Sequence, residues 1–367
     1  MSDESNEIRR LVAESEGLPN GPVKVELLTE AARIADVQND PALGFAVRKI
    51  LMNAALMAGV PDTMLVAFSW CAAQSDRDPA SFPPNQILWE YRWVISELPH
   101  FPQVPREQIE NTIREMATRY RAAGSTLRAV HLMRIFTYTK MCDVAAAEAA
   151  YADWRAVERD WLSDSPRQEL NLLVNFYAFA GWYEKAINES PNVMTGRVDD
   201  AGLFAQDSAE LLVPFLTLGR VTDAARIQRS AYRYLARKPG YIDHMAFHVE
   251  FLARTDNFPG ATRVVDDHMA LAVPTKQYVS RTHFLRSVLL LVERLRRAGH
   301  DRHAFKLPPD VPVSSDAGGC DLSALSEWLT AEVRDYSARF DARNGNTAFT
   351  DKLNAVPDLA ARPAPAK

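Results

Sequence analysis

Cysteine is scarce in this 367-residue chain: Cys71, Cys142 and Cys320 are the three it has, and none lies near another. Isolated thiols offer neither the close pairing of a zinc site nor a redox dithiol, and they suit a reducing cytoplasm better than a disulfide-built secreted protein. A surplus of charge is missing too. With 42 Lys and Arg against 47 Asp and Glu, a net charge of −5 and a pI near 6.0, the chain lacks the basic footprint of nucleic-acid binders. The longest apolar cluster, Val288 to Val292, is far too short to span a bilayer. The N-terminus, Met1-Ser2-Asp3-Glu4-Ser5, is acidic and then amphipathic, unlike a secretory leader. Strand signals, glycine-rich phosphate loops and Ser/His/Asp or Cys/His arrangements are absent, and no basic helix-turn-helix precedes the helical repeats. The expectation is a cytoplasmic protein with no cofactor, no bound metal, no nucleic-acid partner and no membrane.

What is present is helical periodicity. From Pro105 to Arg121, residues Ile109, Ile113, Met116, Ala117 and Tyr120 share one face, with Pro105 suited to the first turn and Gly124 to the exit. The same pattern predicts helices near 23–38, 41–58, 61–76, 84–98, 125–139, 143–158, 166–180, 182–190, 202–218, 221–237, 241–255, 258–272, 276–298 and 321–342. A hairpin signature recurs among them. It is plainest at Gly181-Trp182-Tyr183-Glu184-Lys185-Ala186-Ile187, and it returns at Gly219-Arg220-Val221-Thr222-Asp223-Ala224-Ala225. Looser copies fall at Met141-Cys142-Asp143 and Asp256-Asn257-Phe258. Anchors at 141, 181, 219 and 256 are spaced by 40, 38 and 37 residues, a period typical of stacked hairpins. The predicted fold is all-α, an α-solenoid of antiparallel helical hairpins, with a closed helical toroid as the structural alternative. Residues 1–124 form a helical region of degenerate repeats, 125–298 the array, 299–320 a linker, 321–356 a C-terminal helical segment and 357–367 a disordered tail.

The run Phe176-Tyr177-Ala178-Phe179-Ala180-Gly181-Trp182-Tyr183-Glu184-Lys185-Ala186-Ile187 resembles the tetratricopeptide consensus, in which a tyrosine-bearing helix ends at glycine and a second helix opens with an aromatic and an alanine. Small residues such as Ala146, Ala186, Ala224 and Ala261 allow the two helices to approach. From about 125 to 298 the chain looks like bacterial tetratricopeptide-type proteins with somewhat lengthened repeats. The resemblance implies a protein- or peptide-binding scaffold whose first helices line an inner groove. Transferred groove positions are Arg128, His131 and Tyr138, then Gln168, Asn171 and Asn175, then Gln206 and Glu210, then Asp243, Phe247, Glu250 and Arg254. The lysine-rich clamp of chaperone-tail receptors has no counterpart beside Asn171 and Asn175.

Other clusters carry competing readings. Arg226, Arg229, Arg233 and Arg237, spaced three, four and four, form one stripe that could meet an acidic partner, or simply a solvated outer face. Asp243, His244, His248, Asp266 and Asp267 on adjacent helices suggest the alternative, an all-helical metal-dependent enzyme of terpenoid-synthase or toroid type. Against it, Glu does not follow His244, and Ala270 stands where an Asp-Asp-x-x-Asp box needs its last carboxylate. The pairs Trp89 with Trp93 and Trp154 with Trp161 read as core aromatics.

Overall fold

The computed structural model describes residues 3–365 and is all-α apart from one small sheet. The described residues divide into two units: 3–98 with 110–127, and 99–109 with 128–365.

In the first unit, α1 (Asp3–Glu16), α2 (Pro22–Val37), α3 (Pro41–Ala58) and α4 (Pro61–Arg77) pack as successive neighbours. Helix α3 begins where Asp40 accepts the Leu43 amide and ends at Gly59, in the left-handed region at φ 71. By length and composition α3 is apolar enough to cross a membrane, but it lies between α2 and α4, and its Arg48 pairs with Asp36 and stacks on Trp70 at 4.0 Å. The predicted helix over 84–98 is broken into a 3-10 turn at Pro84–Ile87 and α5 (Glu90–Glu97). Trp89 between them is 40% exposed beneath the Arg92 guanidinium, so it is not the core residue expected. Helix α6 (Arg106–Ala122) crosses the division between units after Ile109.

The second unit contains the hairpins. These are α7 (Arg128–Lys140) with α8 (Val144–Arg155), α9 (Pro166–Phe179) with α10 (Tyr183–Asn188), then, past the short α11 (Pro191–Thr195), α12 (Ala201–Glu210) and α13 (Leu212–Thr217) with α14 (Val221–Leu235), and α15 (Ile242–Arg254) with α16 (Phe258–Ala272). One local device makes all four turns. Cys142, Gly181, Gly219 and Asp256 each adopt a positive φ, at 57, 77, 73 and 55. The next amide then reaches back to a carbonyl of the last helical turn: Asp143 to Tyr138, Trp182 to Tyr177, Arg220 to Phe215 and Asn257 to Leu252, at 2.8–2.9 Å. This six-to-one bond satisfies carbonyls left open by the helix end and sets the direction of departure. Helix approach rests on buried Ala186, Ala224 and Ala261 as expected, although in the first hairpin Ala147, not Ala146, is the buried contact. The aromatics of the first two hairpins form one cluster in which Phe176, Tyr177 and Trp182 surround Tyr151, with ring centroids 5.2–5.7 Å from it.

The predicted helix over 202–218 is split at Leu211. Pro214 lacks the amide that would bond to the Glu210 carbonyl, so the ladder opens there. First helices α7, α9, α12 and α15 touch in sequence, and α17 (Tyr278–Arg297) extends this layer beyond α15.

The segment expected to be a linker, 299–320, forms β1 (Arg302–His303), β2 (Ser315–Asp316) and β3 (Gly319–Asp321), an antiparallel sheet in the order β1-β3-β2. Asp321 then caps α18 (Leu322–Asn344) through the Ser323 and Ala324 amides. After Gly345, α19 (Ala348–Asn354) and α20 (Val356–Ala361) follow. Disorder from residue 357 was the expectation; instead the chain is helical to Ala361, with Val356 and Ala360 buried. Named bonds hold this segment. Arg343 donates to the Pro99 and Phe101 carbonyls at 2.9 and 3.2 Å, Asp341 accepts the Phe349 and Thr350 amides at 2.9 Å, and Arg294 donates to the Arg362 carbonyl at 2.7 Å.

A Cβ at Gly219 would meet no neighbour within 4 Å, so its φ is the main constraint there. Gly219→Ala is expected to lower unfolding free energy by about 1–2 kcal/mol, the cost of an L-residue in the left-handed region. Urea denaturation checks this, and unchanged stability would mean that the turn does not need glycine.

Candidate functional site

The second unit holds a partly enclosed cavity of about 350 Å³. One wall is the layer of first helices; the other is α18, α19 and α20. Helical spacing explains the first wall. On α15, Asp243, Phe247 and Glu250 follow at i, i+4 and i+7, and on α17, Val279, His283, Arg286 and Leu290 do the same, so each set shares one face. Lys140 ends α7, Asn175 and Phe179 come from α9, and Glu210 ends α12. The opposite wall is largely apolar, with Val333, Phe349, Val356 and Leu359, and carries Lys352 at its rim.

The polar wall is linked across helices. Lys140 Nζ donates to Asp243 Oδ2, joining α7 to α15, and His283 Nδ1 lies 2.7 Å from Asp243 Oδ1, adding α17. Asn175 Nδ2 donates to Glu210 Oε1 at 2.9 Å, with His244 Nε2 3.5 Å from the same oxygen. Glu250 accepts from Arg254 at 3.1 Å and stands 4.0 Å from Arg286. Burial alone would push the Asp243 carboxyl up, but the Lys140 ammonium and the His283 hydrogen bond outweigh it and hold the carboxyl well below its usual range. Burial would lower Lys140, and the Asp243 carboxylate instead raises it. Burial lowers His283 despite Asp243. The dyad is therefore an ion pair beside a neutral imidazole whose Nδ1–H is fixed on Asp243.

Of the groove residues read from the sequence, Asn175, Glu210, Asp243, Phe247 and Glu250 meet at the cavity. The others are placed elsewhere. Arg128 turns to Glu169 at 3.0 Å, to the Val157 carbonyl and onto Trp154, because it opens α7 rather than lying mid-helix. His131 sits beside Arg134 and Asp153, and Tyr138 lies near the Arg106 guanidinium. Asn171 is buried and donates to Asp207 at 2.7 Å, which joins α9 to α12. Gln168 and Gln206 share a shallow depression with Arg167 and Tyr241, outside the cavity. Arg254 supports Glu250 without lining the cavity. Sequence reasoning missed Lys140, His283, Arg286 and Lys352. The 279-283-286-290 spacing on α17 was the available signal for two of them; Lys352 had none, since nothing local says that α19 packs on the array.

The arginine stripe is partly committed. Arg226 pairs with Asp223 and Arg237 with Asp267, Arg233 lies over Tyr234, and Arg229 is exposed without an ion pair among the described residues. The cluster read as a metal alternative disperses. Asp243 faces Lys140 and His283, His244 faces Glu210, Asp266 accepts the Lys306 amide, and Asp267 bonds Tyr232 and Arg237. His248 is fully buried, edge-on to Tyr232, with neither nitrogen hydrogen-bonded among the described residues. Among the described residues no three His, Cys, Asp or Glu side chains gather as a metal site. No protein-family model matches the chain, and no curated protein matches it as a relative.

Two outcomes follow from these buried charges. Asp243→Leu should destabilise by about 3–5 kcal/mol, because it strands Lys140, whereas Lys140→Met with Asp243→Leu should cost much less. Equal losses in denaturant titration would show that the pair is not coupled. Burial, with His244 and His268 nearby, pushes His248 down to about 3. In the unfolded chain it titrates near 6.5, so as pH falls from about 6.5 toward 3 the unfolded state binds a proton that the folded state refuses, and stability drops by up to about 1.4 kcal/mol per pH unit. His248→Leu should lessen the loss on acidification by about this contribution, leaving that of His100, which burial also lowers to about 3, and an unchanged slope in melts at pH 4.5–7.5 would assign it to other groups.

Proposed function

We propose that the chain is a tetratricopeptide-like solenoid acting in the cytoplasm as a non-enzymatic binding protein, and that its ligand is a small molecule taken into the cavity of the second unit. The carrying observation is that cavity: about 350 Å³, bounded by a polar wall of first helices and an apolar wall of C-terminal helices. Concave, mostly apolar chambers with a few placed polar groups are the usual form of small-ligand sites. A peptide lying along the first helices, as the family resemblance implies, is less well supported. Asn175, Glu210 and Glu250 already hold one another or their neighbours, and α18 to α20 lie over that face. A second reading keeps a protein partner but moves it to the arginine stripe, where exposed Arg229 has no ion pair among the described residues. Such binding would weaken with salt and be lost in Arg229→Glu with Arg233→Glu.

Thermal unfolding against a panel of small organic compounds tests the first reading. The wild-type chain should yield compounds that raise Tm, and Ala178→Phe or Ala355→Phe, which fill the cavity from either wall, should abolish those shifts. A panel with no shifts, or shifts that survive both substitutions, would sink it.

A further inference from the structure

This inference rests on the cavity being a ligand site and concerns what enters it. The carboxylates on its walls are already engaged: Asp243 by Lys140 and His283, Glu250 by Arg254, and Glu210 by Asn175. Two of their oxygens take no hydrogen bond from the described residues: Glu210 Oε2, which is sealed from the cavity surface as well as from solvent, and Glu250 Oε2, which faces Arg286 at 4.0 Å. The cations are in the opposite position. Arg286 lines the cavity with its side chain 18% exposed and makes no hydrogen bond to any described residue, its ion-pair neighbour Glu250 standing 4.0 Å away. Lys352, at the rim, touches Cys142 Sγ at 3.1 Å and faces the rings of Phe179 and Phe349, with no carboxylate paired to it among the described residues. A guanidinium with five unused donors opening on the cavity offers a ready partner to an acceptor that enters it. Arg286 is therefore the largest set of unused donors on the lining, beside the single hydroxyls of Thr139, Ser287 and Ser337, although the formal charges of the walls balance.

We propose that the cavity binds an apolar monocarboxylate, with its carboxylate on the Arg286 guanidinium and its hydrocarbon body between Phe247 and Leu290 on one side and Val333, Val356 and Leu359 on the other. The planar guanidinium fork matches a carboxylate through two parallel hydrogen bonds, which a lone ammonium cannot do. Glu250 at 4.0 Å opposes a second negative charge, so a monoanion suits the site better than a phosphate monoester. The small volume and apolar opposite wall favour a compact chain or ring over a sugar or nucleotide. Lys352, being exposed, draws the anion toward the opening and contributes in a salt-dependent way.

Isothermal titration of the full chain with octanoate, octylamine and octanol tests this. Octanoate should bind at least about tenfold more tightly than either analogue, a difference of about 1.4 kcal/mol. Arg286→Gln should remove that preference while leaving octanol binding and Tm nearly unchanged, and Arg286→Lys should restore only part of it. Lys352→Gln should weaken octanoate less, and only at low salt. If octylamine or octanol binds as tightly as octanoate, or if Arg286→Gln leaves octanoate affinity intact, the monocarboxylate assignment is overturned while the cavity reading stands. If none of the three binds, the assignment is overturned as well, and the cavity reading is then decided separately by the compound panel and the filling substitutions at Ala178 and Ala355.

Discussion

The buried pairing of Lys140 with Asp243 organises the second unit. It joins the end of α7 to the start of α15 across 103 residues of sequence, and His283 extends it to α17. Two charges removed from water are tolerated only when their attraction and added hydrogen bonds offset several kcal/mol of desolvation per ion. Here the carboxylate is divided between an ammonium on one oxygen and an imidazole on the other. Once that pair sits on the inner layer, burial of neighbouring polar groups favours pairing them too: Asn171 with Asp207, Asn175 with Glu210, Arg254 with Glu250. A wall built this way reads in sequence like a row of free groove residues, yet it spends most of its capacity internally.

That constraint also explains why α18 to α20 present an apolar surface. A polar wall already satisfied offers few partners, so the covering helices bring Val333, Phe349, Val356 and Leu359, and their burial supplies the driving force for closure. The cavity is amphipathic by construction, and Arg286 is its largest unpaired donor group.

Local features of the fold were legible. Pro41 and Gly59 bracket α3, the hairpin anchors mark left-handed turns, and α16 runs over Phe258–Ala272 as its periodicity predicts. The break at Leu211 was also visible in principle, since Pro214 cannot donate to Glu210. Long-range features were not. Residues 357–361 look too poor in apolar content to fold alone, and they are helical because Arg294 and the array hold them. The candidate site divides on the same line. Asp243, Phe247 and Glu250 follow from one helix face, while Lys352 comes near the site only through tertiary packing that no local spacing encodes.

The four hairpin turns show how the two layers of information meet. Gly181 and Gly219 take the left-handed conformation without a side chain. The outer two turns place Cys142 and Asp256 there, at a cost of about 1–2 kcal/mol for an ordinary L-residue and less for Asp. Those two turns are the ones that hold the C-terminal segment. Asn346 donates to the Met141 carbonyl at 3.0 Å and Lys352 contacts Cys142 Sγ, while Asp256 pairs at 2.6 Å with Arg294, whose other nitrogen holds the Arg362 carbonyl. Glycine at 142 or 256 would relax the turn but delete a side chain that fastens the apolar wall. The departures from the glycine pattern therefore fall at the two turns whose residues bond the C-terminal segment.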